Sequence, residues 1–358
     1  MLTVNDNNVV GIYGANASGK SNLIAALNEM LLFIKSKTID SHDKNREPFK
    51  LNAEWRTEPS IFKIEFIVDK LQYEYRIVIF QDEIKGEVLD SLLHEKRTNL
   101  YVRTENIVRF KEAFHPTKNF MAKPLAFQSC LFALAKEGNK QALSICNYFK
   151  QYRVFVASKL SRKCPLVLYI DNLVKEDAAL KLQLDRMLQL SGLQVDYTHT
   201  AHKDFNNIIS QDLTTFDLLE KESSGTVKLY YLGAAILAAL KQKSVLIVDD
   251  ISSSLHTKLC SFLVKLFRNC KSNPHNSQLI FTSHRSDLMG SSQLEEVYFT
   301  EKDKYGATHL FAASDFDGVT NETPLDRWYL QGKFGATPNI KEISFIYEDQ
   351  KDVRLNQI

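Results

Sequence analysis

Residues 9–27 read VVGIYGANASGKSNLIAAL, and this stretch decides the fold class of the chain. It begins with a β-branched run, continues as a loop rich in glycine and serine, and ends in apolar residues at helical spacing. Residues 14–21 match the pattern G-x-x-x-x-G-K-[ST] between a predicted strand and a predicted helix, which is the context of a phosphate-binding loop. Glycines let backbone N–H groups face anionic oxygens at the positive end of a helix. The stretch therefore predicts an α/β P-loop NTPase that binds ATP and Mg²⁺.

Two side chains of this loop have distinct expected roles. Lys20 is expected to reach the β- and γ-phosphates, and the hydroxyl of Ser21 is expected to bind Mg²⁺. The candidate nucleotide-binding residues of the loop are Asn16, Ala17, Ser18, Gly19, Lys20, Ser21 and Asn22.

A second motif, VLIVDD at residues 245–250, is an apolar strand that ends in two carboxylates, as a Walker B strand does at a ligand crevice. Asp249 is the candidate for the Mg²⁺ shell. Asp250 stands where ATPases of this type usually carry the glutamate that polarises the attacking water. Because the aspartate is one methylene shorter, we expect slow hydrolysis. The alternative is that both carboxylates merely end a strand.

Three further segments indicate the ABC type of P-loop ATPase. ESSGT at residues 222–226 precedes a long predicted helix as the LSGGQ signature does, although such a turn is also a common helix cap. SSSLH at residues 252–256 occupies the position of the D-loop, which crosses between subunits. FTSH at residues 281–284 ends in His284, where a switch histidine would contact the γ-phosphate, although a lone histidine is more often structural. The order of the five elements predicts an ABC-type ATPase head, with signature candidates Ser223, Ser224 and Gly225.

The hydropathy pattern divides the chain into three parts. Residues 1–105 carry the phosphate loop and a small antiparallel β lobe, in which a hairpin from Ile61 turns at residues 69–70 and a third strand follows near residues 87–93. Residues 106–205 show helical periodicity, clearest at residues 180–190, and are predicted to be a helical insertion. Residues 206–358 alternate helices with apolar strands, as a parallel sheet does, and carry the signature, Walker B, D-loop and H-loop. Residues 37–59 are predicted to be an irregular connector.

The bulk composition excludes several classes of protein. The net charge of +2 gives no general attraction to DNA or to a membrane surface. The N-terminus lacks the pattern of a signal peptide and the apolar runs are too short to span a bilayer, so we expect a cytoplasmic protein without a membrane partner. The five cysteines are odd in number and nowhere form CxxC, which argues against a disulfide framework and a zinc site.

Several blocks of the chain resemble one known family, and the resemblance runs from about residue 8 to residue 340. The hairpin at residues 62–79 takes part in it, and two of the blocks lie outside generic ATPase motifs. The family is that of the AAA-family ATP-binding proteins of bacterial abortive-infection and anti-phage loci, the RloA-like group, related to the OLD, RecF and SMC ATPases. The blocks are YGANASGKSNLIAAL, ESSGT, VLIVDDISSSLH, SQLIFTSHRSDLM, VYFTEKD and YLQGKFGATP.

The resemblance implies an ABC-type head dimer, in which the signature of one chain completes the Walker A site of the other. On that basis Ser223 and Gly225 would reach the partner's nucleotide, and Asp249, Asp250 and His284 would sense or cleave the γ-phosphate. It also implies a nucleotide-gated sensor that controls a separate effector protein, such as a nuclease, in anti-phage defence. Two other functions stay open: a RecF-like ATPase that binds DNA in its maintenance or repair, and a pseudo-ATPase scaffold that binds ATP without turnover.

The chain also departs from the family's pattern. The sequence begins almost at the Walker A strand, without the strand that normally precedes it, so that either the start is truncated or the antiparallel lobe is smaller, and base recognition by that lobe stays open. Gln81 and Gln128 are both candidates for the Q-loop glutamine. EKD at residues 301–303 resembles the acidic metal site of Toprim nucleases, but an exposed strand end is the more frequent use of such a block.

Overall fold

The computed structural model describes residues 8–35, 55–80, 83–93, 96–111, 127–156, 164–191 and 223–338, together with the single residues 2, 52, 114, 160 and 161. Most of the predicted connector, the glutamine at position 81 and the glutamate at position 222 lie outside the described residues. Among the described helices, none combines the length and the hydropathy that a bilayer crossing requires.

The described chain alternates strands and helices around two sheets. Short 3-10 helices cover Ser286–Ser291, Leu294–Glu296 and Ala313–Asp315. In chain order the other elements are β1 (Val9–Tyr13), α1 (Lys20–Lys35), β2 (Ser60–Val68), β3 (Leu71–Phe80), β4 (Glu83–Leu93), β5 (Lys96–Thr104), β6 (Ile107–Phe110), α2 (Cys130–Lys136), α3 (Lys140–Phe149), β7 (Tyr152–Val156), α4 (Pro165–Glu176), α5 (Ala178–Leu190), α6 (Ser224–Lys241), β8 (Val245–Asp249), α7 (Thr257–Arg268), β9 (Gln278–Ser283), β10 (Val297–Lys302), β11 (Thr308–Ala312) and α8 (Leu325–Leu330).

The main sheet has six strands in the order β11-β10-β1-β9-β8-β7. Strands β10, β1, β9, β8 and β7 run parallel, and β11 pairs antiparallel with β10 at the edge. Parallel strands place their carboxyl ends at one edge of the sheet, and ligands bind there in α/β proteins. The carboxyl ends of β1, β8 and β9 thus bring the phosphate loop, the Walker B carboxylates and His284 to one edge. The parallel sheet confirms the predicted P-loop NTPase class.

Helices cover both faces of the main sheet. Successive side chains of a strand point to opposite faces, so Val9 and Tyr13 face one layer while Val10 and Ile12 face the other. The first layer contains α4, α5, α6, α7 and α8. The second contains α1, α2, α3 and the antiparallel sheet, which therefore packs on the phosphate-loop helix.

The antiparallel lobe is a meander of five strands in the order β2-β3-β4-β5-β6. The predicted hairpin is confirmed: Val68 pairs with Leu71, and Asp69 and Lys70 have φ of 51° and 65°. Positive φ at both central residues is the conformation of a type I′ turn, which matches the twist of the flanking strands. The lobe ends at Phe110, beyond the predicted boundary at residue 105.

The predicted helical insertion is only partly helical in its described residues. Helix α5 confirms the helix predicted at residues 180–190. Strand β7, however, belongs to the main sheet and pairs with the Walker B strand, with Val156 opposite Asp249. A strand of five residues is too short to be told from a turn of helix by periodicity alone, which is why the pattern missed it. The domain boundaries stay a prediction.

A buried ion pair joins the antiparallel lobe to α2. The side chains of Glu87 and Arg103 are fully buried, and Glu87 Oε2 lies 3.6 Å from Arg103 Nη1. Glu87 also accepts four hydrogen bonds, from the hydroxyls of Tyr75 and Tyr101 and from the backbone N–H groups of Cys130 and Leu131. Because the carboxylate caps the first turn of α2, it fixes that helix to the lobe.

We expect Glu87→Gln to destabilise the protein by about 3–5 kcal/mol, because it removes the carboxylate charge beside the buried guanidinium of Arg103. Urea unfolding measures the change. Lys85→Ala is the matched control, because it removes the exposed ion pair with Glu83 in the same strand and should leave the midpoint unchanged. Equal unfolding midpoints for Glu87→Gln and wild type would contradict the role given to this pair.

Candidate functional site

The phosphate loop needs its glycines because strand β10 and the residue that opens β11 lie against it. A Cβ on Gly19 would lie 1.9 Å from Thr308 Oγ1, and Gly19 has φ of 104°, which disfavours any other residue. A Cβ on Gly14 would lie 2.6 Å from the carbonyl oxygen of Thr300. Ala17 also has positive φ, 63°. The loop therefore adopts a tight curve with its back against β10 and β11.

The predicted nucleotide-binding residues of the loop divide by exposure. Asn16, Ala17, Ser21 and Asn22 are exposed at the carboxyl edge of the sheet. Ser18 instead is buried, and its Oγ lies 2.7 Å from Thr300 Oγ1. The hydroxyl of Ser18 thus supports the loop, and its side chain is turned away from the open edge.

Lys20 lies inside the curve of the loop. Its Nζ donates hydrogen bonds to the carbonyl oxygens of Gly14 and Ala15, both at 2.7 Å. Burial lowers the pKa of Lys20, and the carboxylates of Asp250 and Asp249 oppose that effect. In the described chain this buried ammonium bonds only to neutral carbonyl oxygens, and it gains bonds in which both partners are charged when a phosphate enters the loop.

The residues predicted to hold Mg²⁺ are brought together. Ser21 Oγ donates to Asp249 Oδ1 at 3.1 Å, and Thr282 Oγ1 donates to the same oxygen at 2.8 Å. Mg²⁺ prefers such oxygen ligands, so a hydroxyl and a carboxylate that already touch fit the ion. Ser21 and Asp249 would hold it, and bound Mg²⁺ neutralises charge on the β- and γ-phosphates.

Asp250 forms a polar cluster with two further residues. Its Oδ1 accepts a hydrogen bond from Ser252 Oγ at 3.0 Å. His284 Nδ1 lies 3.4 Å from Asp250 Oδ1 and 3.4 Å from Ser252 Oγ. The side chains of Asp250 and His284 are 40% and 44% exposed, so a ligand at the edge can reach them. Asp250 has φ of 50°, a left-handed conformation that aspartate tolerates better than most residues. A carboxylate held beside a serine and a histidine can orient a water and accept its proton.

The signature candidates begin helix α6, away from the phosphate loop of the same chain. Ser223 is the N-cap, and its Oγ accepts from the N–H of Thr226 at 3.2 Å, so the capping alternative is observed. Ser224 Oγ donates to Ser254 Oγ at 3.4 Å, and a Cβ on Gly225 would lie 2.7 Å from Ser254 O. Both serines are exposed. Within the described chain, no hydrogen bond joins these residues to residues 14–22.

Several supporting residues were not predicted. Thr282 bridges the two Walker B residues, because it donates to Asp249 and accepts from the N–H of Asp250 at 2.7 Å. Lys228 Nζ donates to the carbonyl of Asp250. Both carry a sequence signal: Thr282 is a polar residue in an apolar strand, and Lys228 is the one charged residue among the otherwise apolar residues 227–240.

The block YLQGKFGATP at residues 329–338, which carries no role predicted from sequence, lies against the phosphate loop. The N–H of Ala15 donates to the carbonyl of Ala336 at 2.8 Å, and Tyr329 Oη donates to the same carbonyl at 3.2 Å. Phe334 stacks on Phe299 of β10 with ring centroids 4.8 Å apart. The block thus holds Ala15 of the loop to the core.

The acidic block at residues 301–303 is the end of a strand. Asp303 Oδ1 accepts from the N–H groups of Tyr305 and Ala307, both at 2.9 Å, and so closes the turn between β10 and β11. No group of three or more His, Cys, Asp or Glu side chains suited to a metal occurs among the described residues. Of the two Q-loop candidates, Gln128 is described. Its backbone carbonyl accepts a hydrogen bond from Arg103 Nη1 of the antiparallel lobe at 2.6 Å.

A family model matches residues 9–141 and 155–289, which is more than half of the chain. Its description is "AAA domain, putative AbiEii toxin, Type IV TA system". The match includes the phosphate loop, the start of α6, the Walker B strand and His284. A comparison with curated proteins finds no match.

Proposed function

Because the chain belongs to this family of AAA domains, which have a P-loop ATPase fold, we propose that it is a Mg-ATP-dependent switch that closes as a head-to-tail dimer. One observation carries the proposal: Ser223 and Ser224 are exposed at the start of α6 and make no hydrogen bond to the chain's own phosphate loop. A signature in that position completes a nucleotide site only if it meets the loop of a second copy.

The phosphate loop supplies one half of the site. The loop amides and Lys20 bind the phosphates, and Ser21 with Asp249 holds Mg²⁺. The other half is the N-terminus of α6 in the partner copy. Backbone N–H groups at the start of a helix and the hydroxyl of Ser223 donate to an anion, which here is the γ-phosphate. Two-fold symmetry makes two such composite sites per dimer.

Asp250 is the proposed base for hydrolysis. It accepts a proton from water as the water oxygen attacks the γ-phosphorus, and the bond to the β,γ-bridging oxygen breaks to release ADP and phosphate. Ser252 and His284 hold the carboxylate from one side. The short side chain limits its reach, so turnover is slow and the ATP-bound dimer persists.

Slow turnover suits a switch that controls another protein. The γ-phosphate connects two subunits while it is present, and its loss releases them, which gives the two states that a sensor needs. The effector in this proposal is a separate protein, such as a nuclease. The family description as a toxin of type IV TA systems supports a place in abortive infection, that is, in anti-phage defence.

Mixing two inactive variants tests the composite site. Lys20→Ala removes the phosphate-loop half, and Ser223→Arg blocks the signature half by bulk and charge. Each variant alone should hydrolyse ATP at below about 5% of the wild-type rate, because truncation at a shared site removes transition-state contacts. A mixture should recover activity, since a mixed dimer has one site with an intact loop and an intact signature.

The number of intact sites sets the expected recovery. Neither variant pairs with itself around ATP, and each mixed dimer has one intact site of two, so activity should reach at most about half of wild type. A mixture no more active than its components would show that each chain builds its site alone.

A further inference from the structure

Lys228 is a buried lysine of α6 whose ammonium contacts no carboxylate oxygen at hydrogen-bonding distance in the described chain. It is 3% exposed. Its Nζ donates to the carbonyl of Asp250 at 2.5 Å, to the carbonyl of Ser253 at 2.9 Å and to Ser253 Oγ at 2.7 Å. An ammonium has three hydrogens, and the loop after the Walker B strand supplies an acceptor for each.

The same loop touches the signature turn. Lys228 lies four residues after Ser224, so both side chains are on one face of the helix. Ser224 Oγ donates to Ser254 Oγ, and Gly225 packs so closely on the carbonyl of Ser254 that a Cβ would lie 2.7 Å from it. Residues 224–228 and residues 250–254 are therefore bonded along their length, with the signature at one end and Asp250 at the other.

We propose that Lys228 is a positioning residue that makes the signature turn and residues 250–254 move as one body. This inference rests on the proposed head-to-tail dimer. In that dimer the signature turn contacts the nucleotide of one site, whereas Asp250 serves the other site. Lys228 thus lets the nucleotide bound at one site set the position of the base at the other.

The charge of Lys228 strengthens its bonds to residues 250–253. Burial lowers the pKa of Lys228 to about 8, while the carboxylates of Asp250 and Asp249 and the thiol of Cys260 on α7 favour the charged form. Charge-assisted bonds are about twice as strong as neutral ones, so three of them hold the loop firmly.

Lys228→Met and Lys228→Arg test the proposal. Methionine keeps most of the side-chain volume and loses every donor, while arginine keeps the charge and donors. For Lys228→Met we expect Mg-ATP to form the dimer as in wild type and KM for ATP to stay within about twofold, while kcat falls about tenfold or more. Lys228→Arg should recover most of kcat.

Lys241→Met is the matched control, because Lys241 is in the last turn of the same helix and pairs with Asp177, away from the loop. It should leave kcat unchanged. A Lys228→Met variant with the wild-type kcat would overturn the proposal, and so would an equal loss of kcat in Lys241→Met.

Hydrogen exchange in the absence of nucleotide separates this inference from the proposed function. Lys228→Met should speed amide exchange at residues 251–254 about tenfold, because the loop then opens more often, while residues 14–21 exchange as in wild type. If wild type neither dimerises nor hydrolyses ATP, the proposed function fails, and this measurement still decides whether Lys228 holds the loop. Unchanged exchange at residues 251–254 would overturn the inference.

Discussion

Lys20→Ala is expected to weaken ATP binding about 100-fold or more, which corresponds to about 2.7 kcal/mol or more. The ammonium is already inside the phosphate loop, bonded to the carbonyls of Gly14 and Ala15, so it needs little rearrangement to bind a phosphate. Truncating one partner of a buried charge pair costs about 2–5 kcal/mol. Fluorescent ATP titration measures the loss directly.

The stability of the free protein should not fall with Lys20→Ala. Burial lowers the pKa of Lys20, which means that the folded protein holds the charged form less favourably than the unfolded chain does. Removing that charge relieves this cost, and only the two bonds to the loop carbonyls are lost. The melting temperature without ATP should therefore be close to wild type, while the rise that ATP causes should disappear.

Lys35→Ala is the matched control for this experiment. Lys35 ends the same helix, donates to the carbonyl of Tyr152 at 2.7 Å, and has a pKa lowered to about 8 by burial and by Arg153. It lies at the far end of α1 from the phosphate loop. Its loss should leave ATP affinity unchanged, and a 100-fold loss of affinity in Lys35→Ala as well would show that the effect comes from damage to α1.

Asp250→Asn is expected to reduce kcat about 100-fold or more, because an amide cannot accept the proton of the attacking water. It keeps the size of the side chain, so ATP binding and ATP-dependent dimer formation should persist. Phosphate release in single-turnover conditions measures the step. Asp303→Asn is the control carboxylate, since Asp303 closes the β10–β11 turn, and it should hydrolyse ATP at the wild-type rate.

Asp250→Glu is expected to raise kcat, because the longer side chain restores the reach of the usual base. The left-handed backbone at this position, with φ of 50°, suits glutamate less than aspartate, so stability should fall by about 1 kcal/mol. If kcat does not rise, the missing methylene is not the cause of slow turnover. If wild type and Asp250→Asn hydrolyse equally slowly, the protein is a scaffold that binds ATP without turnover.

The phosphate loop and the Walker B strand could be predicted because their chemistry is local. A strand, a glycine loop and a helix follow one another within residues 9–27, and the apolar strand at residues 245–249 ends in its own carboxylates. Local pattern therefore predicted the class of fold. Pairing within the sheet is not local, and nothing near residues 152–156 shows that this short strand pairs with the Walker B strand.

Lys228 and the block at residues 329–338 show why part of the site could not be predicted. The partners of Lys228 are 22 and 25 residues away in sequence, and Ala15 meets Ala336 across almost the whole described chain. Contacts of this kind depend on the tertiary packing of the folded chain. Their only trace in the sequence is an unexpected residue type, such as the single lysine among the apolar residues 227–240. The signature turn could be predicted only in part. Its capping role depends on neighbouring residues, whereas its proposed nucleotide contact depends on a second copy of the chain.

The measurement that tests the central claim most directly is the solution mass of the protein with and without Mg-ATP, by light scattering, for wild type, Lys20→Ala and Ser223→Arg. One chain has a mass of 41.0 kDa. We predict that Mg-ATP raises the wild-type mass towards twice that value and leaves both variants unchanged. A wild-type mass that is indifferent to ATP, or a Ser223→Arg variant that dimerises as well as wild type, would contradict the head-to-tail nucleotide site.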